Sequence, residues 1–184
     1  MNKGYAFESE VEYYFLSLEG KSRQDPIFDG QKIVRSFRVP ASGMMASLPG
    51  DVVTANPNFP QQFMVECKAR TTFTKKKGQI FRLDYGWVTK NEEEAQKAGY
   101  LPLLMFSFKR TKKNRIWVVL PKKVFGVLWP GKELHTEKCI NKKNRVLFIK
   151  DELDNKPEKF YILKNNIVTS FELFWDKVVS TWKK

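Results

Sequence analysis

The run Phe63-Met64-Val65-Glu66-Cys67-Lys68 constrains this chain most: an apolar stretch that ends in an acid and a base one residue apart. Side chains alternate between the faces of a β-strand, so Glu66 and Lys68 point one way and Cys67 the other. Met64 and Val65 would bury such a strand, and a charged pair on a buried strand wants a reason. Gly50-Asp51 opens the preceding apolar run and brings a second carboxylate. Two carboxylates suit a hard divalent cation such as magnesium, with manganese as the alternative, and the lysine could steady a water or oppose charge building on a phosphate. The plainer reading is an Asp that caps a turn, and a Glu-Lys surface pair contributing under ~1 kcal/mol.

The 184 residues suit one domain that buries roughly 70% of its unfolded surface. Thirty-three Lys and Arg against twenty Asp and Glu leave a formal charge of +13. That excess favours a polyanionic partner, either nucleic acid or an anionic membrane surface. No run approaches the ~20 apolar residues of a membrane span, and the N-terminus is acidic, unlike an export signal. Cys67 and Cys139 lack metal-ligand spacing and read as free thiols in a reducing cytoplasm. These features lead to the expectation of a cytoplasmic, nucleoid-associated protein, whether the cell is archaeal, bacterial or virus-infected.

Residues 4–18 predict an amphipathic helix, with Phe7, Val11, Tyr14, Phe15 and Leu18 on one face. Glu8 falls on the flank of that stripe, where it could look into a cleft, and Glu12 turns further towards solvent. Ile33 to Val39 alternates apolar and polar and predicts one strand closed by Pro40. Further strands are expected at 51–54, 63–69, 101–108, 116–120, 146–149, 160–163 and 167–168. Helices are expected at 89–98, closed by Gly99, in a short piece within 121–129, and at 171–182. Two basic loops, Lys75-Lys76-Lys77-Gly78 and the hairpin tip 109–115, could face a polyanion or simply be solvated. The pattern predicts an α/β fold, a central mixed β-sheet flanked by helices. Residues 1–120 would form the core, and 121–184 a C-terminal extension packed on the same domain. The only histidine, His135, sits in a Lys- and Glu-rich loop, which sets aside histidine-based triads and most zinc sites.

Gly50-Asp51-Val52-Val53 followed by Val65-Glu66-Cys67-Lys68 resembles the PD-(D/E)xK nuclease superfamily, with Gly-Asp in place of the common Pro-Asp. Lys3-Gly4-Tyr5-Ala6-Phe7-Glu8-Ser9-Glu10-Val11 and Arg38-Val39-Pro40-Ala41-Ser42-Gly43 narrow the resemblance to the archaeal-type Holliday junction resolvases, over roughly residues 3–120. One departure is Ser9, which stands where that family has an arginine after its catalytic glutamate.

The resemblance implies a restriction-endonuclease-like fold and a metal held by Asp51 and Glu66, completed by Glu8. Lys68 would orient the attacking water, so Glu8, Asp51, Glu66 and Lys68 form the implied catalytic set. Arg38 and Ser42 would contact the scissile backbone, and Lys3 or the basic loop Lys75, Lys76 and Lys77 would replace the missing arginine. A four-way DNA junction needs two opposed nicks, so the resemblance also implies a homodimer, for which the apolar stretches 81–87 and 171–182 are candidate interfaces. Two other readings stay open: a restriction or repair nuclease of the same superfamily, and a non-catalytic basic DNA-binding protein.

Overall fold

The computed structural model describes residues 3–40, 50–55, 62–70, 73–74, 79–108, 116–132, 137–138, 140–141, 145–149 and 160–182. Its strands are β1 (Phe28–Asp29), β2 (Lys32–Ile33), β3 (Phe37–Arg38), β4 (Val52–Val53), β5 (Phe63–Arg70), β6 (Phe73–Thr74) and β7 (Gln79–Asp84). They continue with β8 (Leu101–Phe108), β9 (Ile116–Pro121), β10 (Glu137–Lys138), β11 (Ile140–Asn141), β12 (Arg145–Ile149), β13 (Tyr161–Leu163) and β14 (Asn166–Ser170). Among the described residues four helices accompany them: α1 (Lys3–Glu19), α2 (Tyr85–Ala98), α3 (Lys122–Leu128) and α4 (Phe171–Trp182).

Eight strands form one sheet in the order β10-β13-β14-β9-β8-β5-β4-β3. It is mixed: β5 runs parallel to β8, and β10 to β13, while the other neighbours are antiparallel. A parallel pair needs a crossover rather than a hairpin. Here β6, β7 and α2 supply it between β5 and β8. Strand β14 pairs with β9, so residues beyond 121 extend the same sheet. A second, four-stranded antiparallel sheet has the order β11-β12-β7-β6.

Helix α1 forms where the 3.6-residue spacing predicts it, one residue longer at each end. Phe7, Val11 and Phe15 are buried and meet Phe63, Val65 and Cys67 from the odd-numbered face of β5. Each such side chain stabilises the fold by roughly 1.5–3 kcal/mol through burial. Helix α2 starts four residues earlier than its apolar pattern suggests, because Asp84 caps it: Oδ1 of Asp84 accepts from the Gly86 N–H at 3.0 Å. Its other end is the predicted one, with Gly99 at φ 77°.

One expectation fails here. The strand predicted over 33–39 is broken into β2 and β3, because the intervening backbone is claimed by side chains. The Ser36 N–H donates to Oε2 of Glu19 at 2.7 Å, and Arg35, only 6% exposed, donates to the carbonyls of Asp25 and Arg23 instead of following the alternation. The stretches proposed as dimer surfaces also supply the protein's own core. Leu83 and, in α4, Phe171, Phe174 and Val178 are buried, and Trp175 lies against Phe171 with ring centroids 5.3 Å apart. No helix among the described residues is long and apolar enough to cross a membrane.

Candidate active site

Asp51 is the fixed point of the site. Its N–H donates to the Val65 carbonyl and its own carbonyl accepts from the Val39 N–H, both at 2.9 Å. Its Oδ2 accepts from the Cys67 N–H at 2.7 Å, and the residue is 6% exposed. Strand β4 pairs with β5 through Val52↔Val65 and Val53↔Met64. Carried one residue further, that register sets Asp51 across from Glu66.

Gly50 makes this placement work. It has φ 89°, and a Cβ there would lie 2.7 Å from Cγ of Met64. Proline, locked near φ −65°, cannot take that backbone. The departure from Pro-Asp to Gly-Asp therefore has a local steric cause.

Glu66 and Lys68 share one face of β5, as alternation predicts, and form an ion pair. The Glu66 carboxyl is held above its usual range, first by burial and then by the Asp51 charge, with Lys68 pulling the other way. Glu8 is also raised, by burial and then by Asp51, and Arg38 opposes the shift. Burial pushes the Cys67 thiol well up, and Asp51, Glu8 and Glu66 add to it. Helix α1 and strands β4 and β5 thus bring Glu8, Asp51, Glu66 and Lys68 into one electrostatic neighbourhood.

Three mutually repelling carboxylates are the donor chemistry a hard divalent cation takes. As the side chains stand, no group of three acids, histidines or cysteines among the described residues converges on one point. Glu66 is turned to Lys68, and Oε2 of Glu8 lies 3.7 Å from Nη1 of Arg38. The donor types nonetheless fit a divalent metal, for which Asp51, Glu66 and Glu8 are the residues that would hold it.

Of the residues expected to meet DNA, Arg38 sits at the site, between Glu8 and the ring of Tyr5. Lys3 opens α1. Ser42, Lys75, Lys76 and Lys77 lie outside the described residues, as do the hairpin tip 109–115, His135 and Cys139. Ser9 turns inward: its Oγ is buried without a hydrogen-bond partner among the described residues, and its carbonyl accepts from Arg23 at 3.4 Å.

Glu12 corrects the sequence reading. It is 5% exposed rather than solvent-facing, because the segment after α1 folds back over that flank. Oε2 of Glu12 accepts from Nε of Arg23 at 2.8 Å, Oε1 accepts from the Arg38 N–H at 3.2 Å, and Arg35 lies 3.9 Å away. Helical periodicity shows Glu12 one turn beyond Glu8 but says nothing of the loop that covers it. Tyr5, three residues before Glu8 on the same side of the helix, also goes unnoticed in a search for acids and bases.

Residues 2–147 match the model of the family described as "Phage putative PDDEXK endonuclease". The chain belongs to this family. It is accordingly a nuclease of the PD-(D/E)xK kind, a hydrolase whose substrate is DNA, and nucleases of this kind generally depend on a divalent metal. The match extends past residue 120, where the sequence motifs end. Among solved structures, the chain is similar to Hjc of Archaeoglobus fulgidus, a Holliday junction resolvase from an archaeal hyperthermophile. The two share 12% identity over 94% of this chain and 88% of that one, with a TM-score of 0.37. No protein of curated function matches this chain in sequence.

Proposed function

We propose that this nuclease is a structure-selective endonuclease that resolves four-way DNA junctions by paired nicks, working as a homodimer with magnesium, or manganese in its stead. The observation that supports the chemistry is the shared electrostatic neighbourhood of Glu8, Asp51, Glu66 and Lys68, with Arg38 beside it. The junction reading rests on the Lys3–Val11 and Arg38–Gly43 motifs.

Asp51 and Glu66 would hold the cation, and Glu8 would complete the set. When bound, the cation would polarise a phosphate oxygen and make a bound water a better nucleophile. Asp51 is held by its two backbone hydrogen bonds and by the Cys67 N–H at its carboxylate, which would keep that ligand in place. Lys68 brings a positive charge to the same strand face, where it opposes charge building on the phosphate. Arg38 supplies the planar donor edge that matches a phosphate. Lys3, Ser42 and the lysines at 75–77 would add contacts to the backbone, which position the protein without reading bases.

One observation favours a second reading, a PD-(D/E)xK nuclease with another DNA substrate. Ser9 stands where the resolvases carry an arginine, and its hydroxyl is buried. Cleavage of a labelled four-way junction, a flap and a linear duplex in magnesium separates the two. Symmetric paired nicks in the junction alone support resolution. Equal rates on all three assign the second reading, and salt-sensitive binding without metal-dependent cutting would leave a DNA-binding protein.

A further inference from the structure

Arg38 is held in an unusual way for a half-buried guanidinium. Its Cζ lies 3.8 Å from the centroid of the Tyr5 ring, and its Nη1 lies 3.7 Å from Oε2 of Glu8. That second distance is too long for a hydrogen bond. Among the described residues no guanidinium N–H of Arg38 makes one, although its backbone N–H donates to Glu12. Arg35 offers the contrast, with its guanidinium donating to three backbone carbonyls.

The two arginines are therefore built for different ends. Arg35 spends its donors inside the fold, whereas Arg38 is located by contacts that leave its donors open. All three contacts come from one helix. At 3.6 residues per turn, Tyr5, Glu8 and Glu12 fall within a sector of about 60° on α1. Glu12 fixes the backbone of Arg38, Glu8 attracts its charge, and Tyr5 supports its flat face. Tyr5 is 44% exposed, so its ring is not needed to fill the core.

We propose that Tyr5 is a positioning residue for DNA binding. Its ring keeps the Arg38 guanidinium face-down beside Glu8, with the N–H edge open to a DNA phosphate. A cation over an aromatic face is attracted to the ring, whereas a hydrogen bond to a carboxylate would consume the donors that a phosphate needs. The inference rests on the nuclease reading of this site but not on the choice of a junction.

Four full-length variants test it: Tyr5→Leu, Tyr5→Phe, Arg38→Ala and the Tyr5→Leu/Arg38→Ala double variant. The first readout needs no DNA. In proton NMR, ring current should move the Arg38 side-chain resonances upfield in the wild-type protein and in Tyr5→Phe, and the shift should vanish in Tyr5→Leu. The second readout is binding of a fluorescent linear duplex and a four-way junction without divalent metal, across a salt series. Tyr5→Leu should bind about two- to five-fold more weakly, and Tyr5→Phe should match the wild type. Arg38→Ala should lower the salt slope by about 0.9, one phosphate contact. In that background Tyr5→Leu should change nothing further.

Absence of the upfield shift in the wild type overturns the stacking. A Tyr5→Phe protein as weak as Tyr5→Leu assigns the effect to the hydroxyl and overturns the proposal. An undiminished Tyr5→Leu effect in the Arg38→Ala background does so too, because Tyr5 would then touch DNA itself. Wild-type protein that binds neither DNA rejects the nuclease reading of the site, while the NMR shift still judges the stacking.

Discussion

Gly50 offers the most exacting test of how Asp51 is placed. In Gly50→Ala the new residue keeps a left-handed backbone, since the Asp51 N–H and C=O are tied to Val65 and Val39. That conformation costs a side-chain-bearing residue about 1–2 kcal/mol. The new Cβ also falls 2.7 Å from Cγ of the fully buried Met64. Forcing an extra methyl into a packed core typically costs about 1–3 kcal/mol. The stiffer unfolded chain returns about 0.4–1 kcal/mol. The net destabilisation is about 2–4 kcal/mol, which at 2–4 °C per kcal/mol for a chain of this size lowers Tm by about 5–15 °C. Urea unfolding of the metal-free protein measures it directly. DNA cleavage measured well below the new Tm should fall about 100-fold, because a shift of about 1 Å at a catalytic group has that effect. Met64→Ala then divides the two causes. In the double variant the steric part should disappear, so the two changes are less costly together than their sum by about 1–3 kcal/mol, while the backbone part persists. A Gly50→Ala protein within about 0.5 kcal/mol of wild type, or strict additivity with Met64→Ala, would refute the reasoning.

Asp51→Asn should abolish metal-dependent cleavage yet leave metal-free stability at pH 7 equal to or above wild type. The amide oxygen can still accept from Cys67, and one of three repelling charges is gone; thermal melts beside a cleavage assay check both halves. Glu66 has a folded pKa above its unfolded one, so its contribution to stability is fullest at acid pH and is lost as pH rises from about 4.5 through the raised value. The Tm difference between metal-free Glu66→Gln and wild type should therefore grow in the variant's favour as pH rises through that window, and a difference constant with pH would contradict the assignment. Glu12→Ala removes the buried carboxylate that accepts from Nε of Arg23 and the Arg38 N–H and should destabilise by about 1–3 kcal/mol in urea unfolding, whereas Glu10→Ala, on the half-buried side of the same helix, should cost far less.

Much of this arrangement could be read before any coordinates. Helix α1 announces itself through its 3.6-residue period, and strands β5, β8 and β9 through apolar runs that the fold buries on both faces. Glu66 and Lys68 follow from strand alternation alone. The failures share a cause. Glu12 is satisfied by Arg23 from the loop after the helix, and Arg35 by the carbonyls of Arg23 and Asp25; a one-dimensional pattern cannot show a charged residue that its partner lies in another segment. The same holds for Ser36, whose hydroxyl and N–H turn to Glu19 and interrupt the strand predicted through it. The left-handed backbone at Gly50 becomes meaningful only when Met64 is known to lie against it. Tyr5 carries no chemistry of its own that a motif search rewards.

The division of the proposed acid set between a helix and two strands bears on when the protein can act. Strand pairing sets Asp51 against Cys67, whereas Glu8, Tyr5 and the Glu12 anchor for Arg38 all come from α1. A chain with α1 undocked would therefore lack part of the proposed acid set and all three contacts that locate Arg38. On the proposed site, cutting would be confined to the molecule in which α1 is docked, which ties the nuclease's activity to the completeness of its own fold.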